Sequence, residues 1–350
     1  MSKFKENNDQ NSEKRIDKHA LAFGLISAFL CGVGFSIIMP VVPFLVHPYV
    51  NSPQNQTIIV TLLTSVYAVC VFFVAPGIGV LSDRYGRRPV LIICLLGSAI
   101  GPALGGLLAR FDYSLPLYFG ALITVINVVY GFIYMPESLD KKDRIVAIPI
   151  VRLNPFTQLI TILSMKNLKW LLISAFLLWL PNGSLQAVFS QFTIDNFNWK
   201  PAIIGLMFSI IGIQDILSQG LIMPKLLLKY TDKQIAIIGM TAEIIGYSLI
   251  AGSALFSFYP FFIIGMFVFG FGDSIFGPSF NGMLSKSVDA SEQGRIQGGS
   301  QSIQALARIV GPIIGGQIYI ILGHAAPAFM GVILIALAIL FLYKRGLVET

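Results

Sequence analysis

Charge is scarce in this 350-residue chain: Asp, Glu, Lys and Arg make up 12% of it, against 55% hydrophobic residues and a mean hydropathy of +0.77. A soluble domain carries about 25% charged residues, so the composition excludes one and points to a protein that lives in a lipid bilayer. Histidine and cysteine are rarer still, with three of each. His19, His47 and His324 fall at the ends of apolar runs, while Cys31, Cys70 and Cys94 lie inside them without metal-ligand or disulfide spacing, and read as buried, inert thiols. No Ser/His/Asp or Cys/His constellation, phosphate-cradling loop or dinucleotide fingerprint occurs. The chain is therefore expected not to be an enzyme, to hold no cofactor or metal, and not to be driven by ATP. Its net charge of +7 and pI near 9.3 come from Lys and Arg dispersed in short stretches, not from one basic patch, so nucleic acid is not an expected partner.

What the sequence has in abundance is apolar length. Crossing about 30 Å of hydrocarbon takes roughly 20 residues. Runs of that kind fall near 20–46, 57–81, 89–109, 114–135, 169–190, 201–222, 234–256, 259–283, 296–322 and 325–343, ten in all. The first nineteen residues are polar and basic, and the run after them is too long for a signal-peptide core and lacks a small-residue cleavage site, so it counts as the first span. Of the 24 Lys and Arg, 21 fall in the two tails and in alternate connections, Arg110 and Lys200 in the others, and Arg308 within a span. That asymmetry places both termini, and the connections 82–88, 136–168, 223–233 and 284–295, in the cytoplasm. The expected layout is a tail (1–19), a bundle of four spans (20–136), a cytoplasmic linker (137–168), a bundle of six spans (169–343) and a second tail (344–350). Within the linker, Lys141, Lys142, Arg144 and Arg152 precede the segment Pro155–Met165, which reads as an interfacial helix.

One stretch organises the rest. Gly79-Val80-Leu81-Ser82-Asp83-Arg84-Tyr85-Gly86-Arg87-Arg88 is a charged, glycine-punctuated segment between two apolar runs, expected as a tight loop at the membrane surface. Its pattern closely resembles the signature loop between the second and third helices of major facilitator superfamily transporters. The resemblance implies an all-α membrane protein of two pseudo-symmetric helical bundles, with Gly79, Asp83, Arg84, Gly86, Arg87 and Arg88 as a gating loop. Asp83 would then contact the start of the eleventh helix, here near Ser291–Ile296, where a carboxylate meets the positive end of a helix dipole.

Such transporters are built from parallel repeats, and two registers of self-similarity appear. Asp83-Arg84-Tyr85-Gly86-Arg87-Arg88 has a faded copy in Leu228-Lys229-Tyr230-Thr231-Asp232-Lys233, at an offset of 145. Gly101-Pro102-Ala103-Leu104-Gly105-Gly106 recurs as Gly311-Pro312-Ile313-Ile314-Gly315-Gly316 at an offset of 210, and Pro116 and Gly120 recur as Pro327 and Gly331 at 211. The jump of about 65 residues lies between Pro89 and Gly101. With six spans in the second half and four in the first, it reads as an internal deletion that fuses the start of a third helix to the end of a fifth. About ten helices are thus expected in place of twelve.

Inside the spans sit Asp215, Glu243, Asp273 and Arg308, all in the second half. A charge there is costly unless it faces a polar interior or a partner. One arginine can offset one carboxylate, which leaves two acids able to take up and release protons as water access changes sides. The alternative for each acid is a purely local role, capping a kink or bonding a neighbour. Aromatics Phe35, Tyr67, Trp179, Phe189 and Phe276, with Gln186, Gln301 and Gln304, are candidates to line a cavity, though core or lipid packing is the commoner fate of a single aromatic.

Two further segments, Gly34-Phe35-Ser36-Ile37-Ile38-Met39-Pro40-Val41-Val42-Pro43 and Asp289 to Gly298 followed by Arg308-Ile309-Val310-Gly311-Pro312, resemble the tetracycline/proton antiporter branch of the superfamily. Glu243 falls on a position where that branch carries a membrane carboxylate important for antiport. Cys31 and Gly101 occupy two others that have lost their acid, and Arg308 stands where the branch has small polar residues, so tetracycline itself is not implied as the substrate. The gap would also remove the fourth helix, usual home of a functional arginine. Gly97, Gly101, Pro102, Gly105 and Gly106 resemble the G-x-x-x-G-P-x-x-G-G motif of the antiporters' fifth helix, a helix-packing motif repeated at Gly311 and Pro312.

Taken together, the resemblance implies a multi-pass transporter of the cell membrane (plasma or inner), in the drug/proton antiporter group. It would export a small amphipathic, drug-like molecule in exchange for protons by alternating access, and act as a monomer. Asp215, Glu243, Asp273, Arg308, Gln301 and Gln304 would form its proton and substrate pathway. The alternatives are a remnant that inserts but transports poorly, and a metabolite or sugar symporter of the same fold.

Overall fold

The structure, a computed structural model, describes residues 37–85, 104–134, 165, 168–287 and 293–348. Among these residues there is no strand, as lipid requires: with no water to bond exposed backbone groups, an unclosed chain satisfies them only as helix. The helices are α1 (Val42–Val46), α2 (Pro53–Tyr85), α3 (Leu115–Tyr134), α4 (Lys169–Phe197), α5 (Pro201–Leu227), α6 (Asp232–Phe256), α7 (Tyr259–Lys286), α8 (Gln293–Leu322) and α9 (Ala326–Val348). Six are long and apolar enough to cross a membrane: α4 to α7, the Gly299–Leu322 part of α8 and the Ala326–Tyr343 part of α9.

Local chemistry sets the boundaries. α4 stops at Asn198, which adopts the left-handed conformation (φ 54°) and caps the carbonyls of Ile194 and Thr193. Pro201 then opens α5, its missing N–H costing nothing at a first turn. Within α5, a π turn at Ser218–Ile222 immediately precedes Pro224, which has no N–H to give the Gly220 carbonyl. Thr231 and Gln234 form a reciprocal capping box at the start of α6. The short connections make successive helices antiparallel, so one end of the bundle carries Lys169, Leu227, Asp232 and Lys286 and the other carries Phe197, Pro201, Phe256 and Tyr259.

α6 and α7 pack backbone to backbone. A Cβ on Gly239 would lie 2.8 Å from the Gly272 carbonyl oxygen, and one on Gly246 2.8 Å from that of Gly265, so only glycine permits this separation. A core of Phe189, Phe192 and Phe262 fills the space toward the Phe197 end, with Trp179, Phe276 and Phe280 packed nearer mid-height.

The internal repeat is visible in the contacts of its glycines. Gly315 lies against Ser184 of α4, and a Cβ on Gly316 would be 2.6 Å from the Thr61 hydroxyl of α2. In the same way Gly105 lies against the Ile37 carbonyl, and a Cβ on Gly106 would be 2.6 Å from the Pro201 carbonyl at the start of α5. The glycines are 210 apart in sequence, whereas Ile37 and Ser184 are 147 apart.

Several sequence expectations shift. The segment expected as a loop from residue 79 is helical through Tyr85: Gly79, Asp83 and Arg84 belong to the last two turns of α2, while Gly86, Arg87 and Arg88 lie outside the described residues. At 1.5 Å per residue the 33 residues of α2 reach about 50 Å, so its charged end extends past the hydrocarbon without a break. The run 20–46 ends in turns at 37–41, α1 and a 3-10 turn at His47–Tyr49. Gly97, Gly101, Pro102, Phe35, Cys31, the linker up to 164 and the expected Asp83 contact near Ser291 lie outside the described residues.

Candidate functional site

Asp215, Glu243, Asp273 and Arg308 occur on four different helices, each near the midpoint of its own. Packing brings them to one level, with Asp273 at the centre: Glu243, Asp215 and Arg308 all act on it electrostatically. Asp273 is exposed, so it faces open space rather than packed side chains. Its Oδ1 accepts the side-chain amide of Asn182 at 3.0 Å, and the Asn182 carbonyl accepts the Tyr247 hydroxyl at 2.9 Å. Asn182 therefore joins α4, α6 and α7 in one chain of hydrogen bonds.

Glu243 lies one turn before Tyr247 and is fully buried, and neither carboxyl oxygen makes a close hydrogen bond among the described residues. Its position follows from the glycine contact, since it sits between Gly239 and Gly246, and a Cβ on Gly272 would meet its Cγ at 2.9 Å. Asn182, which donates to Asp273, is also the polar side chain that acts on Glu243. Asp215, half-buried, accepts from the Gln219 amide one turn on at 2.8 Å.

Beside this cluster is a cavity of about 250 Å³ between the two halves of the chain. Met39, Thr64, Tyr67 and Ala68 line it from one side, and Gly183, Gln186, Gln301, Gln304 and Arg308 from the other. Toward the Leu322 end of α8 the halves close on each other, through the Thr61–Gly316 contact and a hydrogen bond from the Ser65 hydroxyl to the Ile309 carbonyl at 3.0 Å. No group of three potential metal ligands occurs among the described residues.

Of the residues singled out from sequence, Arg308, Gln301, Gln304, Gln186 and Tyr67 come together on the cavity wall, and Glu243, Asp273 and Asp215 form the adjoining acidic cluster. Trp179, Phe189 and Phe276 do not line the cavity; they are core, stacked edge-on or tilted against other rings. Arg308 acts electrostatically on Asp273 but has no carboxylate within 4.0 Å among the described residues. Asn182 and Tyr247 were not marked in advance. An asparagine directly after a mid-span proline, Pro181, and a tyrosine one helical turn from Glu243 were the available signals.

Residues 24–100 and 171–349 match the sequence profile of the Major Facilitator Superfamily. The class C tetracycline resistance protein of Escherichia coli is 28% identical over 362 aligned positions, covering 86% of this chain and 90% of that protein. The class H protein of Pasteurella multocida is 26% identical over 356, covering 84% and 88%. The crystal structure of the human organic anion transporter MFSD10 (TETRAN) superposes with a TM-score of 0.64 at 17% identity, over 94% of this chain and all of that one. A multi-pass helical chain with charges at mid-depth, a cavity between its halves and a profile match across more than half its length is a membrane transporter, not an enzyme, and the chain belongs to the Major Facilitator Superfamily.

Proposed function

We propose that this transporter exports a small amphipathic, drug-like molecule across the cell membrane in exchange for protons, with both termini in the cytoplasm. The observation that carries the reading is Glu243: a fully buried carboxyl whose oxygens make no close hydrogen bond among the described residues, beside a cluster of two further acids and one arginine. Such a site differs sharply between its proton-bound and proton-free forms, and a carboxylate left without donors must regain a proton or move to find one. The cavity between the halves supplies a place for substrate at the same depth, and closure at Thr61–Gly316 on one side is what alternating access requires of one of its states. Relatives named for tetracycline resistance are in keeping with a drug-like cargo.

A second reading, that the chain transports weakly, has its own support. Gly105 and Gly106 hold places equivalent to those of Gly315 and Gly316 in the fifth helix of the six-helix half, although only α2 and the run ending near residue 109 come between. In the class C comparison, 86% of 350 residues is about 300, so roughly 60 of the 362 aligned positions have no residue of this chain opposite them. Both observations favour a first half lacking two helices. Inverted membrane vesicles energised with a proton gradient test the two readings together. Gradient-dependent uptake of fluorescent drugs above that of empty vesicles is expected, and expected to be slow. Absence of uptake from this chain and equally from a version with the missing 65 or so residues restored would overturn the transport proposal.

A further inference from the structure

The cavity wall contains a cation that, among the described residues, has no ion-pair or hydrogen-bond partner. Arg308 sits at the midpoint of α8, open to the cavity, with no carboxylate within 4.0 Å and no hydrogen bond among the described residues. Its five N–H donors are thus all available. Around it, the side-chain amides of Gln186, Gln301 and Gln304 also face the cavity and make no hydrogen bond with the described residues. Apart from Thr64, whose hydroxyl donates to the Val60 carbonyl, the rest of the described wall is apolar or aromatic, including Met39, Ala68 and the Tyr67 ring.

An unsatisfied guanidinium at mid-depth in a bilayer is expensive, and Asp273 offsets it only at a distance, with no ion-pair contact between them. A ligand that placed an anionic group against Arg308 would gain charge-assisted, forked hydrogen bonds and relieve that cost. A cationic ligand would meet repulsion in the same place.

From this geometry we infer that the cavity is a binding site for a small amphipathic organic anion, with its acidic group on Arg308, its polar substituents on Gln186, Gln301 and Gln304, and its apolar body against Met39, Ala68 and Tyr67. The inference names the substrate class of the proposed transport site and rests on that reading. A cavity of about 250 Å³ suits a compact cargo of the size of two fused rings. Asp273 is the anion's intramolecular competitor for the guanidinium, so removing its charge strengthens anion binding.

Calorimetric titration of the full 350-residue chain in nanodiscs, against empty nanodiscs, tests this with three probes of one shape: 2-naphthoate, the neutral 2-naphthamide and the cationic 2-naphthylmethylammonium. The expected order is naphthoate tightest by tenfold or more, with the cation weakest. Arg308→Gln is expected to remove the preference, Arg308→Lys to keep part of it, and Asp273→Asn to tighten naphthoate severalfold. Equal binding of naphthoate and naphthamide, tighter binding of the cation, no naphthoate binding at all, or a preference that survives Arg308→Gln each overturn the inference. Should Arg308→Gln not fold, the wild-type order and the Asp273→Asn shift decide it. No proton gradient enters this experiment, so anion binding without gradient-driven transport by either this chain or the restored version would overturn the proposed function alone. Transport of cationic drugs by a chain with no anion preference would overturn only the inference.

Discussion

Asn182 on α4 donates its side-chain amide to Asp273 on α7 at 3.0 Å, a bond between residues 91 apart in sequence that sets the geometry of the whole acidic cluster. The same side chain accepts the Tyr247 hydroxyl at 2.9 Å, so a single amide holds three helices at the level of Glu243.

Asn182→Ala strips Asp273 of its donor and leaves the fully buried Tyr247 hydroxyl without an acceptor. The expected loss is about 1–3 kcal/mol of stability for an orphaned buried group, together with a severalfold fall in transport. Tyr247→Phe added to Asn182→Ala removes the orphan and is expected to restore part of the stability. Thermal unfolding of the two single variants and the double variant gives the coupling directly; strictly additive losses would show that the bond does not hold the helices together.

Two glycines of α7 give opposite results for the same substitution. At Gly272 a new Cβ would sit 2.5 Å from the Gly239 carbonyl oxygen, so Gly272→Ala forces α6 and α7 apart, displaces Glu243 and destabilises. At Gly277 nothing lies within 4 Å, and Gly277→Ala is expected to stabilise by about 0.5–1 kcal/mol through the reduced entropy of the unfolded chain. Melting temperatures that move in the same direction for both would contradict the close α6–α7 contact.

Orientation in the membrane is read out by labelling. In a background with Cys31, Cys70 and Cys94 replaced, single cysteines at Asn51 and Ser257 are expected to react with an impermeant maleimide in intact cells. One at Tyr230 is expected to react only after the membrane is opened. The reverse pattern would invert the topology derived from the Lys and Arg distribution.

Glu243→Gln separates a defect of coupling from a defect of construction. In the chain as it stands, which we propose couples weakly, the substitution is expected to change proton-driven efflux little. With the missing 65 or so residues restored, the same substitution is expected to abolish it. Fast efflux from the 350-residue chain that disappears with Glu243→Gln would show that ten helices suffice. The physical basis is that a cavity lacking the two helices we propose are missing would expose polar groups to lipid, where they are costly and cannot sample water on alternate sides.

Sequence periodicity located the second-half helices closely: the runs 234–256 and 259–283 appear as Asp232–Phe256 and Tyr259–Lys286. It misjudged the end of α2, because Ser82, Asp83 and Arg84 mark where a helix leaves the hydrocarbon and not where it stops. The aromatics show a different limit. Trp179 and Tyr67 are equally plausible cavity residues by composition, yet one packs against Phe280 with ring centroids 5.0 Å apart and the other lines the cavity.

The sequence by itself determined that this chain spans a bilayer, roughly where, and that four charges lie at mid-depth. Hydrocarbon imposes a length and an apolarity on every segment that crosses it, and these are properties of consecutive residues. Only the tertiary structure decided which faces of the helices meet. It turned Arg308 to a cavity, buried Glu243 fully, and brought Asn182 between Tyr247 and Asp273. Those outcomes depend on how each helix is rotated and how closely it approaches its neighbour. Both are set by contacts such as Gly239 with Gly272 and Gly316 with Thr61, which join residues far apart in the chain.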